Sequence, residues 1–154
     1  MTVHIGPLAP EHAGEALTVQ RAAFVVEAQR NNAPDIPPLT ETVDELRADL
    51  SSALAIGAWL GSRLAGHVRG HVDSDRMQVL RFAVAPDLQG RGIGRALLSA
   101  VESAAPPEVR TFWLVTGASS EANLRLYGRT GYTVVGESTD AAGVALVVLE
   151  KTRS

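Results

Sequence analysis

The 154-residue sequence contains no cysteine. This absence excludes a disulfide framework, a thiolate metal site and a cysteine nucleophile. A formal net charge of -3 gives no general attraction for phosphate backbones, so nucleic acid is not an expected partner. No apolar run approaches the roughly 20 residues of a membrane span, and residues 1–4 lack the basic and apolar regions that open a signal peptide. We therefore expect a cytoplasmic protein that does not bind membranes.

The residues that are present are typical of a folded globular chain. Hydrophobic residues make up 45% of the sequence and charged residues 20%, a composition that is too apolar for a disordered segment. A chain of this length can bury enough apolar surface to fold without disulfides or metals. We expect residues 1–154 to form a single domain.

Hydrophobic periodicity in the first half of the chain predicts two helices followed by three strands. A helical stripe runs over residues 10–29, and Thr42 with Glu45 forms a capping box that opens a second helix. Pro86 ends the last of the three strands. The strands are separated by hairpin signals and lie at residues 53–60, 64–72 and 80–84.

The second half of the chain predicts a helix, a strand, a helix and a closing hairpin. Gly131 is placed as the C-terminal cap of the second of these helices. The element order predicts a mixed α/β (α+β) fold with helices on both faces of one sheet. The four elements lie at residues 93–104, 109–115, 121–129 and 132–149.

Three alternating glycines, Gly90, Gly92 and Gly94, stand between the third strand and the helix that follows it. Helix N-termini carry unpaired N–H groups and the positive end of the helix dipole, and glycines leave these groups accessible. The pattern predicts an anion site of the kind that holds a pyrophosphate. It fits neither a P-loop, because no lysine follows the glycines, nor the dinucleotide fingerprint, which needs glycine at the position of Arg95. A glycine-rich turn without a ligand is the alternative.

Two segments resemble the cofactor motifs of the GNAT N-acyltransferases. The first is VAPDLQGRGIGRALL at residues 84–98, in which Gln89, Gly92 and Gly94 occupy the places of the family pattern Gln/Arg-x-x-Gly-x-Gly/Ala. The second is NLRLYGRTGY at residues 123–132, which is similar to the family's second cofactor segment. The two motifs stand in the family's order and spacing, and the predicted elements match the family over nearly the whole chain.

The resemblance implies a GNAT-like fold with a central, mostly antiparallel mixed sheet that is splayed between strands 4 and 5. It implies acetyl-coenzyme A as the cofactor, with the pantetheine arm lying in that gap. The arm would bind backbone groups of Phe82, Ala83 and Val84. The pyrophosphate would bind backbone N–H groups of the glycine loop, which are those of Gln89, Gly90, Arg91, Gly92, Ile93, Gly94 and Arg95.

The resemblance also implies an N-acetyltransferase that acts on a primary amine of a small molecule, peptide or protein. Tyr127 would be the general acid that protonates the leaving thiolate, and an ordinary pKa of about 10 keeps its phenol protonated at neutral pH. Asn123 shares a helix face with Tyr127 and would contact the cofactor beside it. Many family members place this asparagine at the position of Ser120 instead. Dimers are common in the family, so a homodimer is a further expectation.

The sequence offers two candidates for the general base, Glu27 and Glu41, in a region from which family members often line the acceptor site. Either glutamate could act directly or through water, or be a solvated surface carboxylate. Six acidic residues against two arginines between residues 27 and 50 favour a cationic or amine-bearing acceptor.

His67, Arg69 and His71 alternate along the second predicted strand, and we interpret them as an exposed polar face. The alternative is that one of the two histidines is the general base, since an ordinary histidine pKa is near 6.5. Two histidines without carboxylate or cysteine partners at ligand spacing do not predict a metal site. Arg81 interrupts the apolar third strand and either reaches the acceptor cleft or leaves at the sheet edge.

Two other functions are compatible with the sequence. A non-catalytic acyl-coenzyme A-binding or sensing module would keep the same cofactor residues without an effective base. A nucleotide-binding domain of another fold would be stabilised by ATP or NAD rather than by acetyl-coenzyme A. Thiol release with a panel of amines distinguishes the enzyme from the sensor.

Overall fold

A computed structural model describes residues 2–154 and contains one seven-stranded sheet. The strands are β1 His4–Pro7, β2 Leu54–Leu60, β3 Arg63–Asp73, β4 Arg76–Val84, β5 Thr111–Gly117, β6 Thr133–Thr139 and β7 Ala145–Thr152. The helices are α1 Ala13–Arg30, α2 Pro37–Thr40, α3 Val43–Leu50, α4 Ile93–Ala104 and α5 Glu121–Arg129. The spatial order of the strands is β1-β2-β3-β4-β5-β7-β6.

All neighbouring strands pair antiparallel except β4 and β5, which are parallel. This arrangement confirms the predicted fold, a mostly antiparallel mixed sheet. Strand β1 was not predicted, because four residues are too few to show a period. It pairs with β2 at the edge of the sheet.

Helices cover both faces of the sheet, as consecutive residues of β3 show. The backbone of Gly66 faces α4, since a Cβ at this position would lie 3.1 Å from Leu97 Cδ1. His67 points to the opposite face, where its Nε2 lies 2.9 Å from the carbonyl oxygen of Ala16 in α1. Helix α4 buries one apolar stripe, and each such side chain contributes roughly 1.5–3 kcal/mol of transfer free energy. The buried residues of the stripe are Ile93, Leu97, Leu98 and Val101.

Local signals for the helix ends are confirmed in the structure. Thr42 Oγ1 accepts the N–H of Glu45 at 3.1 Å, and Glu45 Oε1 accepts the N–H of Thr42 at 2.9 Å. Gly131 adopts a φ of 102° after α5, and the N–H of Tyr132 bonds back to the carbonyl of Tyr127. These bonds satisfy backbone groups that a bare helix end would leave unpaired.

The interpretation of His67, Arg69 and His71 as an exposed strand face is wrong. His67 is fully buried and Arg69 is 1% exposed, while the side chain of His71 remains 42% exposed. The reason is that α1 and α3 pack over this face and bring their own polar groups to it. Alternation alone cannot distinguish a strand face that is solvated from one that is covered by polar partners.

A buried network of hydrogen bonds surrounds the guanidinium of Arg69. Its Nη2 donates to Gln20 Oε1 at 3.1 Å and to Glu41 Oε1 at 2.6 Å, and its Nη1 donates to Asp49 Oδ2 at 2.7 Å. Gln20 Nε2 in turn donates to Glu41 Oε1 and to the carbonyl of Pro38. The network therefore ties α1, α3 and the segment between α2 and α3 to the middle of the sheet.

The pH dependence of stability should report the burial of His67. Burial lowers the pKa of His67 to about 4, below the ordinary value of about 6.5. The unfolded chain therefore takes up a proton that the folded chain does not, and stability is complete above about pH 6.5 and falls as the pH drops toward 4. Between pH 7 and pH 5 we expect this residue to remove about 2 kcal/mol from the free energy of unfolding.

Urea denaturation across this pH range measures the effect. The variant His67→Gln, whose amide can still donate to Ala16, should show a clearly smaller loss between pH 7 and pH 5. The control His4→Gln changes an exposed histidine and should keep the wild-type slope. An unchanged slope in His67→Gln would contradict the assignment.

Candidate active site

The sheet opens between β4 and β5. The two strands pair at three positions only, Arg76 with Thr111, Met77 with Phe112 and Gln78 with Trp113. Beyond these pairs β4 follows β3 as far as Val84, and β5 follows β7 as far as Gly117. Residues 79–84 and 114–117 therefore present two strand edges that do not pair with each other. Such edges offer backbone donors and acceptors to an extended ligand.

A β-bulge in β4 lies at this opening. The register of β3 against β4 shifts between His67, which opposes Ala83, and Arg69, which opposes Leu80, so β4 carries one extra residue. Arg81 lies inside the bulge with a φ of 52°, in the left-handed region. Bulges bend a strand and redirect its side chains. Arg81 is one of the residues that line the cavity at the opening, which favours the first of the two positions expected for it.

The cavity at the opening has a volume of about 180 Å³. Its walls come from the end of α1, the segment that leads into α2, the facing edges of β4 and β5, helix α5 and the hairpin between β6 and β7. Most of the wall is apolar. The charged or potentially proton-transferring side chains that line it are Glu27, Arg81, Tyr127 and Asp140.

A small hydrophobic cluster, the rim cluster, closes the outer side of the cavity. Its buried members are Ala28, Ala33, Ile36 and Val144. These residues join the loop after α1 to the hairpin before β7, and they form a cluster separate from the main core. The outer wall of the cavity thus depends on contacts between two loops.

Glu27, near the end of α1, is held at the cavity by two residues at and after the end of β5. The hydroxyl of Ser120 donates to Glu27 Oε2 at 2.5 Å. Gly117 has no side chain, and a Cβ at this position would collide with Glu27 Oε1. The carboxylate is 16% exposed. These contacts orient one carboxylate oxygen toward Ser120 and leave the other beside the backbone of Gly117.

Tyr127 extends from α5 into the same cavity. Its ring packs between Phe82 and Tyr132, with centroid distances of 6.0 and 5.9 Å. Burial raises the pKa of Tyr127, and the negative charge of Glu27 raises it further. The phenol therefore stays protonated well above neutral pH and can donate a proton.

Glu41, the second candidate base, lies beneath the cavity within the Arg69 network. Both of its carboxylate oxygens accept hydrogen bonds from Arg69, at 2.6 and 3.0 Å. Burial alone would raise the pKa of Glu41, but the hydrogen bonds from Arg69 and Gln20 outweigh it and lower the pKa. A carboxylate with this environment is a weak proton acceptor, so the geometry favours a structural role for Glu41.

The glycine loop leaves its backbone N–H groups free. Gly90 and Gly92 have φ values of 79° and 82°, and a Cβ at either position would meet no atom within 4 Å. Helix α4 begins directly after Gly92 without a side-chain cap. Among residues 2–154, no turn or capping hydrogen bond uses the N–H groups from Gln89 to Arg95. A space kept open by missing side chains and lined by unpaired N–H groups fits an anion such as a pyrophosphate.

The two polar residues at the start of α5 have different partners. Ser120 uses its hydroxyl to hold Glu27, whereas Asn123 lines the cavity on the same side as Tyr127. Asn123 is therefore the residue whose amide is available to a ligand in the opening. The positioning roles of Ser120 and Gly117 toward Glu27 were not predicted, because 93 residues separate Ser120 from Glu27 in the chain.

Within residues 2–154, no group of three or more histidine, aspartate or glutamate side chains is arranged to hold a metal ion. In the same part of the chain, no helix combines the length and the apolar character needed to span a membrane.

Comparison with protein families gives one match that covers most of the chain. The model of the acetyltransferase (GNAT) domain matches residues 36–153. The match includes the glycine loop, the opening between β4 and β5, and helix α5. A comparison with curated protein sequences gives no significant match.

Solved structures with the same fold include several acetyltransferases. One is the PaiA N-acetyltransferase from Thermoplasma acidophilum in complex with coenzyme A, with 17% identity, a TM-score of 0.76 and coverage of 99% of this chain and 100% of that one. Another is the ribosomal-protein-S18-alanine N-acetyltransferase from Escherichia coli, with 20% identity, a TM-score of 0.79 and coverage of 99% and 95%. A third is YncA from Salmonella typhimurium, a putative acetyltransferase with its cofactor acetyl-coenzyme A, with 15% identity, a TM-score of 0.76 and coverage of 99% and 94%.

Proposed function

Because the chain belongs to the GNAT acetyltransferase family, we propose that it transfers the acetyl group of acetyl-coenzyme A to a primary amine. The observation that carries this proposal is that Glu27 and Tyr127 line one cavity at the opening of the sheet. One is a carboxylate that can accept a proton, and the other is a buried phenol that can donate one. Amine acetylation needs one group of each kind.

The cofactor-binding groups follow from the free backbone at the opening. The N–H groups from Gln89 to Arg95 would hold the pyrophosphate, and the gap-facing backbone groups of Phe82, Ala83 and Val84 would bind the pantetheine arm. Arg91 and Arg95 are exposed beside this loop and add positive charge. The side chain of Asn123 would contact the arm next to Tyr127. When bound, acetyl-coenzyme A supplies a thioester whose carbonyl carbon is open to attack.

Glu27 and Tyr127 would move the two protons that the transfer requires. Glu27 would accept a proton from the nitrogen of the neutral amine as that nitrogen forms its bond to the acyl carbon, so that the amide product carries no charge on nitrogen. The phenol of Tyr127 donates its proton to the sulfur as the carbon–sulfur bond breaks. Ser120 and Gly117 keep the Glu27 carboxylate in place, and the apolar wall of the cavity limits the access of water.

Release of free coenzyme A thiol with a panel of primary amines tests the proposal. Titration calorimetry with acetyl-coenzyme A is performed first, so that cofactor binding is established independently of turnover. Thiol release that depends on the amine supports the proposal. Cofactor binding without turnover of any amine would instead support a sensing module.

Tyr127→Phe should lower kcat by about 100-fold or more, because it removes the proton donor and keeps the ring packing. The affinity for acetyl-coenzyme A in calorimetry should be nearly unchanged. The matched control is Tyr132→Phe, which loses a hydrogen bond to Glu102 and should cost about 1 kcal/mol of stability while kcat is kept. An equal loss of binding and turnover in Tyr127→Phe would assign a structural role to this residue.

Glu27→Gln should also lower kcat by about 100-fold or more, because the amide cannot accept the amine proton. The amide oxygen can still accept the hydroxyl of Ser120, so the loop geometry should persist. Glu121→Gln removes an exposed carboxylate from the first turn of α5 and serves as the control. If Glu27→Gln keeps the wild-type rate, the base must be sought elsewhere.

Gly92→Glu should abolish binding of acetyl-coenzyme A, because it places a side chain and a negative charge inside the anion site. Gly61→Glu is the matched control, since Gly61 has a φ of 60° and open space around its Cβ position in the turn between β2 and β3. Both variants carry a similar backbone strain, of order 1 kcal/mol. Calorimetry that shows retained binding in Gly92→Glu would mean that the pyrophosphate lies elsewhere.

A further inference from the structure

Arg81 holds an unusual backbone conformation inside a strand. Within residues 2–154, three residues other than glycine have positive φ values, Asn32, Ser74 and Arg81, and the first two lie in turns. A left-handed conformation costs an arginine of order 1 kcal/mol, a cost that glycine would avoid. Strain of this kind is typical of functional sites.

Arg81 forms an ion pair with Glu41, and its buried Nε lacks a hydrogen-bond partner among residues 2–154. Its Nε lies 3.6 Å from Glu41 Oε1, which is too far for a hydrogen bond. Glu41 already accepts two hydrogen bonds from Arg69 and one from Gln20. The Arg81 side chain is 24% exposed, and Arg81 is one of the residues that line the cavity. A guanidinium presents a planar fork of N–H donors that matches a carboxylate.

The cavity wall carries a negative group and a positive group. Glu27 provides a carboxylate and Arg81 a guanidinium. Asp140 also lines the cavity, but its Oδ1 accepts the N–H groups of Ala142 and Val144 and so belongs to the hairpin. A ligand that carries an ammonium and a carboxylate matches this pair.

Three of the six acidic residues between residues 27 and 50 are ion-paired with arginines, and none of these three lines the cavity. Glu41 and Asp49 are bound by Arg69, and Asp44 is bound by Arg47. A polyamine acceptor would bring a second positive charge toward Arg81. An acceptor without an anionic group would leave the mostly buried Arg81 with only its long contact to Glu41, and a buried charge with incomplete hydrogen bonding is costly.

On the basis of the proposed function, we propose that the acceptor is a small free amino acid or a similar amino carboxylate with an apolar body. Its amine would lie at Glu27 and its carboxylate would receive hydrogen bonds from Arg81. The apolar wall, formed in part by Phe24, Ile36 and Leu146, would contact the body. Pockets for drug-sized ligands usually have volumes of about 300 Å³ or more. The cavity, at about 180 Å³, is smaller than these pockets. Arg81 is thus a specificity-determining residue.

The test compares acceptors that differ only in the carboxylate. The wild-type protein is assayed by thiol release with leucine, leucinamide and isopentylamine, and with the corresponding compounds of valine, methionine and phenylalanine. Spermidine is included as a polyamine. We expect kcat/KM for at least one free amino acid to exceed that of its amide and amine by about tenfold or more, the value of a charge-assisted hydrogen-bond pair.

Variants at Arg81 assign the preference to this side chain. Arg81→Gln should reduce the ratio of kcat/KM between the acid and its amide by about tenfold, and Arg81→Lys should keep part of the ratio. Arg47→Gln removes one positive charge from the exposed surface of α3 and should keep the full ratio. Calorimetry of the amino acid against the protein loaded with coenzyme A should show the same order of affinities.

The outcomes separate the inference from the proposed function. If amides or spermidine are acetylated as well as the free amino acids, the inference is overturned and the proposed function stands. If acetyl-coenzyme A binds but no amine releases thiol, the proposed function is overturned and the inference falls with it. The comparison of acceptors in the wild-type protein needs no variant, so poor folding of an Arg81 variant does not affect it.

Discussion

The separation of β4 from β5 is the constraint on which the rest of the molecule depends. Buried backbone N–H and C=O groups need hydrogen-bond partners, and a sheet normally supplies them by continuous pairing. Here the pairing stops after Gln78 and Trp113, because β4 bends at the bulge around Arg81 while β5 stays with β7. The free edges and the cavity arise at the same point. A cofactor with amide groups along an extended arm can satisfy these edges, and its thioester would then lie beside Glu27 and Tyr127.

The layer of helices above this opening is held by buried charges rather than by apolar contacts alone. Arg69 is bound by Gln20, Glu41 and Asp49, so that α1 and α3 are fixed to β3. Buried charges are tolerated only when their partners are complete. This requirement explains why Glu41, which looks like a base in the sequence, is occupied in the structure. It also leaves Arg81 without a full partner, because the oxygens of Glu41 are already used.

Features that depend on neighbouring residues could be predicted from the sequence, and features that depend on distant ones could not. The capping box of Thr42 and Glu45 and the glycine loop before α4 are local, so their letters were sufficient. The burial of His67 depends on a helix that is far away in the chain, and the sequence pattern was the same as that of an exposed face. The bulge at Arg81 follows from the register between two strands, which no periodicity within one strand reveals.

The rim cluster is a cluster of buried residues that is separate from the main hydrophobic core. Among residues 2–154 it contains four buried residues, against twenty-nine in the main core, and they come from the end of α1, the segment after it and the hairpin before β7. The separation of the two clusters has a consequence for how the protein can evolve. Substitutions in the loops that carry the rim cluster can change the shape of the cavity to fit a different amine. They leave the residues of the main core unchanged, so the stability that this core provides is kept.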